Sequence, residues 1–512
     1  MQIKQNLFGG LTAAVVALPL GLAFGVASGM GPTAGIYGAI ILGLFASLFG
    51  GTPTQISGPT GPMTVVMASA VITLHHDIHL IAVTVILAGL FQILFGVFKL
   101  GKFVRYIPYP VISGFMSGIG IIIMVLQINP YLGLVSDASV VHTLVNLPSH
   151  LPEIRPSSFV LATLTLLIVL FTPQKIARII PTPLIALFTL TPLSIALGLE
   201  VTTIGEIPAS LPDMVRPSLD LAHYRTVITL GFTLAILGML DTLLTSIVAD
   251  SITHTKHQPN RELIGQGIGN ALCGLFGAIP GAGATMRTVI NVKSGGTTRL
   301  SGIIHSITLL LVILFLAPIA SQIPMAVLAG ILMKVGIDIL DYRFFRIWRE
   351  SPRSDLTVMM VVFLTTVFID LITAVGVGIL LASLLIVYRI TRETQVILEN
   401  SSTSGTAYSL GKDTHLLRID GAFFFGSSAA FEERAASMLD TRRFIIDITH
   451  VPFVDLTAIF TLKDLVTKLK ELGIEVIIVA RDNDTRQLKK LNKTGVFNSV
   501  MFYHHLEEVP PR

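Results

Sequence analysis

Apolar runs of membrane length succeed one another through the first 390 residues, with edges near 9–29, 33–49, 80–98, 106–128, 157–173, 179–198, 226–252, 262–278, 299–319, 323–340, 355–370 and 372–389. A helical crossing of a bilayer takes about 20 predominantly apolar residues. Only helices and closed barrels satisfy their backbone polar groups in lipid. The chain is 52% hydrophobic and 13% charged, with mean hydropathy +0.77, whereas soluble domains carry about 25% charged residues. A multi-span α-helical membrane protein embedded in a lipid bilayer follows.

Two further apolar segments are interrupted. Gly50 to Val71 contains Thr52-Pro53-Thr54, Gln55 and then Gly58-Pro59-Thr60-Gly61-Pro62, and Gly277 to Ile290 contains Pro280-Gly281-Ala282-Gly283-Ala284. Proline lacks an N–H and biases its predecessor away from helix, so the first segment is expected to be helical only from about Met63. Irregular backbone at membrane depth survives only where it lines a cavity or is buried in protein. Paired interruptions in corresponding halves of a chain point to a transporter binding site. Both segments therefore read as half-helices, about 59–74 and 282–293, whose N-termini meet near the bilayer midplane. They bring the expected spans to fourteen, with breaks at the third and tenth. That placement predicts 7+7 inverted repeats, roughly 5–200 and 225–390, within a transport domain over 1–390. Pro108-Tyr109-Pro110 and Pro181-Thr182-Pro183 are expected to open helices, and 136–154 and 204–224 to be connectors.

Loop charge sets the orientation. With the N-terminus inside, inner loops hold Lys99, Lys102, Arg105, Lys175, Arg178, Lys256, Arg261, Lys293, Arg299, Arg343, Arg346, Arg349 and Arg353, and outer loops hold Arg155, Arg216 and Arg225. Cytoplasmic loops carry the basic excess, so both termini are expected in the cytoplasm. The pI near 9.1 arises from these loops, and no nucleic-acid partner is expected. The single cysteine, Cys273, excludes an internal disulfide and reads as a small buried hydrophobe. The first run shows no clear cleavage site, so no cleavable signal is expected. From Thr391 the pattern changes. HLLRIDGAFFFG, RRFIIDITHV and IEVIIVARD read as strands, Phe431–Met438 and Ala458–Glu471 as helices, and 399–406 as a linker or loop. The expectation is a small cytoplasmic α/β domain over 391–512.

Four motifs carry a resemblance. They are Pro19-Leu20-Gly21-Leu22-Ala23-Phe24, Gly35-Ile36-Tyr37-Gly38, Gly51-Thr52-Pro53 with Ser57-Gly58-Pro59, and Arg287-Thr288-Val289-Ile290-Asn291 with Ser294-Gly295-Gly296. In this order, over nearly the whole chain, they resemble the SulP anion transporters. The terminal segment resembles that family's STAS domain through Phe425-Gly426, Ile446-Asp447-Ile448 and Val454-Asp455-Leu456-Thr457. Within the family, Pro59-Thr60-Gly61-Pro62-Met63-Thr64, Leu240-Asp241-Thr242-Leu243-Leu244-Thr245 and Gly281-Ala282-Gly283-Ala284-Thr285-Met286-Arg287 are most similar to sodium-dependent bicarbonate transporters of the cyanobacterial type. The resemblance implies core and gate domains, a homodimer with STAS involvement, and a bacterial inner-membrane carrier that is not an enzyme. Two positions depart from the common family pattern: Leu20 stands where many members carry Gln, and Met286 where many carry Ser. Both changes make the pocket less polar.

Asp241 lies deep in an apolar run, where an isolated carboxylate costs roughly 2.5–3.5 kcal/mol on insertion scales. Thr245, four residues on, shares its helix face, while Thr242 is expected to point elsewhere. Carboxylate, hydroxyl and unwound carbonyl oxygens suit Na⁺, which assigns Asp241, Thr245, Gly283 and Thr285 to the coupling ion. A structural Asp241 paired with Arg287 is the alternative. The half-helix N-termini offer N–H donors and a positive partial charge to an anion: around Gly61, Met63 and Thr64 on one side, and around Ala284, Thr285 and Met286 on the other. The hydroxyls of Thr60 and Thr285 either orient the anion or only cap their helices, and Arg287 either adds positive field or turns toward the cytoplasm. His75, His76 and His79 read as a solvated loop cluster, Phe24 as packing or pocket wall, and Thr457 as a helix cap or a phosphorylation site. The expected function is secondary active anion transport by alternating access, Na⁺-coupled for bicarbonate. A proton-coupled sulfate or dicarboxylate carrier is the alternative, and a membrane-anchored STAS regulator is a third reading.

Overall fold

The computed structural model describes residues 2–135, 140–177, 180–205, 210, 212–218, 223–347, 349–369, 371–400, 413–436, 441–481 and 500–510. Two compact units divide the chain, Met1–Ile379 and Leu380–Arg512.

In the first unit the helices are α1 (Gln2–Ala27), α2 (Pro32–Phe49), α3 (Gly61–Thr73), α4 (Ile78–Val97), α5 (Tyr109–Leu126), α6 (Ile128–Tyr131), α7 (Val140–His150), α8 (Pro156–Phe171), α9 (Gln174–Ala177), α10 (Thr182–Ala196), α11 (Tyr224–Thr253), α12 (Pro259–Leu275), α13 (Thr285–Lys293), α14 (Arg299–Ala320), α15 (Met325–Ile339), α16 (Tyr342–Ile347) and α17 (Arg353–Phe368). Helix α18 (Leu371–Glu393) continues into the second unit. Every expected span coincides with a helix. Among the described residues, seven helices are long and apolar enough by length and composition to cross a membrane.

Local chemistry explains the boundaries. Pro108 and Pro181 occupy the N-cap positions of α5 and α10, where a missing N–H costs nothing. Helix α3 begins at Gly61, two residues earlier than proline alone allows for, because Pro62 sits within the first turn. Asp77 caps α4 by accepting from the backbone N–H groups of His79 and Leu80. Buried hydroxyls inside the helices donate back to carbonyls one turn earlier, as Ser47 does to Gly43, Thr84 to Leu80 and Thr165 to Leu161, which satisfies them in apolar surroundings. Close helix crossings rest on small residues. Where α4 meets α12, a Cβ on Gly89 would stand 2.3 Å from the Ala271 nitrogen, and one on Gly267 would stand 2.5 Å from the Gly89 carbonyl oxygen.

Packing separates the helices into two sets. Helices α1, α2, α4, α11, α12 and α14 pack on one another around α3 and α13, while α5, α8, α10, α15 and α17 pack mainly among themselves. The arrangement has an internal exchange. α1 lies on α14 as α11 lies on α4, α2 on α14 as α12 on α4, α1 on α13 as α11 on α3, and α8 on α15 as α17 on α5.

Of the two expected connectors, residues 140–150 form α7, whose Val140 packs against Ile122, Leu126 and Val367. Thr203 bridges to Pro324. Residues 136–139, Arg178, 206–209, 211 and 219–222 lie outside the described residues. His75 and His76 occupy left-handed backbone in the α3–α4 turn, and the His79 ring bonds the Arg216 carbonyl at 2.8 Å.

The second unit carries a five-stranded sheet in the order β3 (Gln395–Asn400), β4 (Thr414–Asp420), β5 (Arg443–His450), β6 (Glu475–Val479) and β7 (Met501–Tyr503); β1 and β2 belong to the site below. Only β3 runs antiparallel to its neighbour. Helices α19 (Phe425–Ala436) and α20 (Leu456–Glu471) cover it, and their Phe431, Ile459, Leu462 and Val466 pack onto Leu417, Phe444, Ile446 and Ile478. Three strands and both helices were expected. Strand β3 is a correction: residues 399–400, taken with a linker, end this strand, while 401–406 and Met438 lie outside the described residues. Thr457 is not the cap of α20. That role belongs to Asp455, which accepts from Ala458 and also from Phe425, leaving Thr457 exposed in the first turn.

Candidate functional site

The two interrupted segments meet. Strand β1 (Ser57–Gly58) pairs antiparallel with β2 (Ala282–Gly283), Ser57 opposite Gly283 and Gly58 opposite Ala282. The pairing is extended by the Ala284 N–H donating to the Ile56 carbonyl at 2.8 Å and the Ile56 N–H donating to the Thr288 hydroxyl at 3.0 Å. Because the strands are antiparallel, α3 and α13 leave the crossing in opposite directions. Glycine is required by proximity: a Cβ on Gly281 would lie 2.1 Å from the Gly58 carbonyl oxygen.

A cavity of about 340 Å³ opens beside this crossing, between the two helix sets. Its wall includes Leu20 and Phe24 of α1, Thr60, Gly61 and Pro62 at the start of α3, Asp241 of α11, Ala284 to Arg287 at the start of α13, Met116 of α5, and Val335, Asp338 and Ile339 of α15. Asp338 is held by Lys334 at 2.5 Å.

Asp241 is 9% exposed and its Oδ2 is buried without a hydrogen-bond partner. One turn on, the fully buried Thr245 hydroxyl lies 2.8 Å from the Gly283 carbonyl oxygen and 2.7 Å from the Thr285 hydroxyl. The structure thus brings Thr245, Gly283 and Thr285 into contact, with Asp241 one helical turn from Thr245 and on the same cavity wall as Thr285; carboxylate, hydroxyl and carbonyl oxygens are a donor set that suits a hard monovalent cation. Thr242 departs from expectation. Its hydroxyl accepts from the Gly283 N–H at 3.0 Å, because the broken segment crosses α11 and reaches a wider arc than one face.

Thr60 occupies the N-cap position of α3, yet its side chain makes no capping bond. Its hydroxyl is buried and turned to the Asp241 carboxylate instead. Pure capping is therefore excluded for Thr60. Thr285 is the first residue of α13 rather than its cap, and its hydroxyl faces Thr245. The Ala284 N–H is already engaged by Ile56, and Thr64 N–H by the Thr60 carbonyl. The first-turn N–H groups of Thr285, Met286 and Arg287 have no intrahelical acceptor. Met63 is fully buried away from the cavity wall. Arg287 does not turn toward the cytoplasm: it is 2% exposed, donates from Nη2 to the Pro59 carbonyl, and leaves Nη1 buried without a partner.

The sequence reading missed Gln55, Ser246, Glu262, Gln266 and Asn270, which hold the crossing from behind through buried hydrogen bonds. For three of them the detectable signal is the recurrence of Glu262, Gln266 and Asn270 every four positions along α12.

Comparison with known proteins gives the family and the fold. The profile of the sulfate permease family matches residues 3–362. The chain belongs to that family. A STAS domain profile matches residues 411–509. The chain is 43% identical over 524 residues to a protein of Picosynechococcus sp. named bicarbonate transporter BicA, covering 97% of this chain and 92% of that one. The solved transmembrane domain of a cyanobacterial bicarbonate transporter BicA superposes with a TM-score of 0.69 at 47% identity, over 73% of this chain and 98% of that one. The murine anion transporter Slc26a9, solved in its inward-facing state, shares the fold over 98% of this chain and 90% of its own, with a TM-score of 0.86 at 21% identity. The chain is a multi-pass membrane anion transporter, not an enzyme.

Proposed function

We propose that this transporter imports bicarbonate together with Na⁺ across the inner membrane of a bacterium. One observation carries the reading: Asp241 and the start of α13 line a single cavity, and the Thr285 hydroxyl on its wall meets Thr245, which also holds the Gly283 carbonyl. The cation binds at the oxygens of Asp241, Thr245, Gly283 and Thr285. The anion binds the N–H donors of Thr285 and Met286 and the Thr60 hydroxyl, with Gly61 and Ala284 leaving room and Arg287 adding positive field. The likeness to a relative named bicarbonate transporter supports the substrate.

Charge favours coupling. Moving a monoanion into a negative-inside cell costs about 2.3 kcal/mol per 100 mV, and one accompanying cation cancels that charge. The packing exchange between the two halves supports fourteen spans in 7+7 inverted repeats with α3 and α13 as half-helices. The set around the crossing is then the moving core, and α5, α8, α10, α15 and α17 belong to the gate. Both termini face the cytoplasm, and the STAS domain takes part in a homodimer.

The test is uptake of labelled bicarbonate into proteoliposomes at fixed pH, with Na⁺ or choline outside. Na⁺-dependent uptake that sulfate does not displace is expected. Undiminished uptake in choline overturns the coupling. It then favours the second reading, proton-coupled carriage of sulfate or a dicarboxylate, for which the buried charge of Arg287 is the supporting observation.

A further inference from the structure

Helix α12 carries Glu262, Gln266 and Asn270, each essentially fully buried. Four-residue spacing places them in one stripe along the helix. At its first end, Glu262 Oε2 accepts from the backbone N–H groups of Gly51 and Thr52, both at 2.7 Å. Its Oε1 accepts from Gln55 Nε2 and Gln266 Nε2, both at 2.9 Å. In the middle, Gln266 Nε2 also donates to the Ser57 hydroxyl at 2.5 Å. At the far end, Asn270 pairs with Gly281 in both directions: Nδ2 donates to the carbonyl at 3.0 Å and Oδ1 accepts from the N–H at 2.9 Å. One helix therefore grips the first interrupted segment at four residues before α3, Gly51, Thr52, Gln55 and Ser57, and the second two residues before Gly283.

The residue types match the task. A carboxylate is acceptor-only with room for about four hydrogen bonds, and four donors fill Glu262. A glutamine there would set an NH₂ group against backbone N–H donors. An amide side chain carries a donor and an acceptor side by side, which lets Asn270 pair with the N–H and the C=O of Gly281 at once. Strands of two residues each cannot fix their own register, so something outside them must.

We infer that the Glu262–Gln266–Asn270 stripe is the positioning element of the transport site. It sets both segments in the register that brings the Gly283 carbonyl to Thr245 and the Thr60 hydroxyl to Asp241. These are positioning residues, since none lines the cavity. The consequence for transport rests on the proposed reading of the site, whereas the positional role stands on the hydrogen bonds themselves.

Full-length protein in nanodiscs tests both. Amide exchange should rise about tenfold over residues 50–58 in Glu262→Gln and over 278–285 in Asn270→Ala, with α5 and α15 within roughly twofold of wild type. In proteoliposomes, the Na⁺ concentration for half-maximal bicarbonate uptake should rise about tenfold while the maximal rate falls less than roughly threefold. Glu262→Asp should recover part of that shift. Gln266→Leu, which removes only the central bonds, serves if the end variants fail to fold, and should raise exchange over 50–58 about threefold. Unchanged exchange at both segments in a folded variant overturns the inference. So does a fall in maximal rate with no change in Na⁺ dependence. Na⁺-independent uptake by the wild type would overturn the reading of the site instead, and the exchange measurement would still decide the stripe.

Discussion

Thr60→Val separates a ligand-binding hydroxyl from a structural one, because the two roles move different readouts. Valine is nearly isosteric with threonine and equally restricted at χ1, so packing at the start of α3 is kept. The Thr60 side chain makes no capping bond, and its hydroxyl stands beside the Asp241 carboxylate on the wall of a cavity wide enough for water. Removing a cap would cost about 1 kcal/mol, and that loss does not arise here. Water takes the place of the hydroxyl at Asp241 with little loss. The ligand-free variant should therefore lie within about 1 kcal/mol of wild type. With bicarbonate bound, the hydroxyl donates to a charged acceptor, a bond worth about 1.5–3 kcal/mol, so affinity should fall roughly 10- to 150-fold. The assay is thermal unfolding in detergent with and without bicarbonate at about 100 times the wild-type dissociation constant, where binding adds about 2.7 kcal/mol. A tenfold weaker variant keeps only about half of that. A variant that loses stability without ligand, while its bicarbonate-induced shift matches wild type, would show that Thr60 serves the fold and would refute the argument.

Asp241→Asn keeps shape but removes the carboxylate, and should abolish Na⁺-dependent uptake, with retention of wild-type Na⁺ dependence refuting the cation assignment. Ala284→Leu, at a cavity-lining residue 7% exposed, should fill the anion's place and reduce uptake at least about tenfold while leaving Na⁺ binding near wild type; uptake close to wild type would move the anion elsewhere. In the second unit, Phe431→Ala empties a fully buried ring position against Phe423 at 4.9 Å and should destabilise that unit by about 3–5 kcal/mol, read by its denaturation midpoint as an isolated fragment or within the full chain. Removing residues 400–512 should leave bicarbonate binding by the remaining core, whereas complete loss in a folded core would favour a regulatory role for the STAS domain.

Much of this architecture was legible because membrane helices announce themselves through length and hydropathy, with no tertiary information. The two interruptions were legible for a similarly local reason: Pro59, Pro62 and Pro280, clustered with glycines, leave no room for a continuous helix through either segment. Asp241 stood out as a charge too costly to leave in lipid without use, whereas the sequence left Arg287 free to turn either way. Other features depend on partners distant in the chain. Strand β3, QVILEN, follows a helix directly and lacks the alternation of a half-buried strand. It becomes a strand only because β4 supplies a partner edge. β7, at the far edge, has three residues, too few for periodicity to register.

The α12 stripe shows a deeper limit. Glu262 stands at the edge of an apolar run, where a charge reads as a membrane-interface residue, and Gln266 and Asn270 read as mild interruptions. Their meaning lies in Gly51, Ser57 and Gly281, residues of two separate broken segments whose polar groups need partners that two-residue strands do not provide. The sequence therefore displays the broken segments and the polar stripe separately. Buried polar groups must find partners, and that demand is what connects them. A segment broken to expose N–H and C=O groups to a ligand leaves others exposed on its far side. Some helix behind the crossing must answer them with side chains at a four-residue spacing. In this chain that helix is α12, and the same demand ties the spacing of its polar residues to the spacing of the glycines it holds.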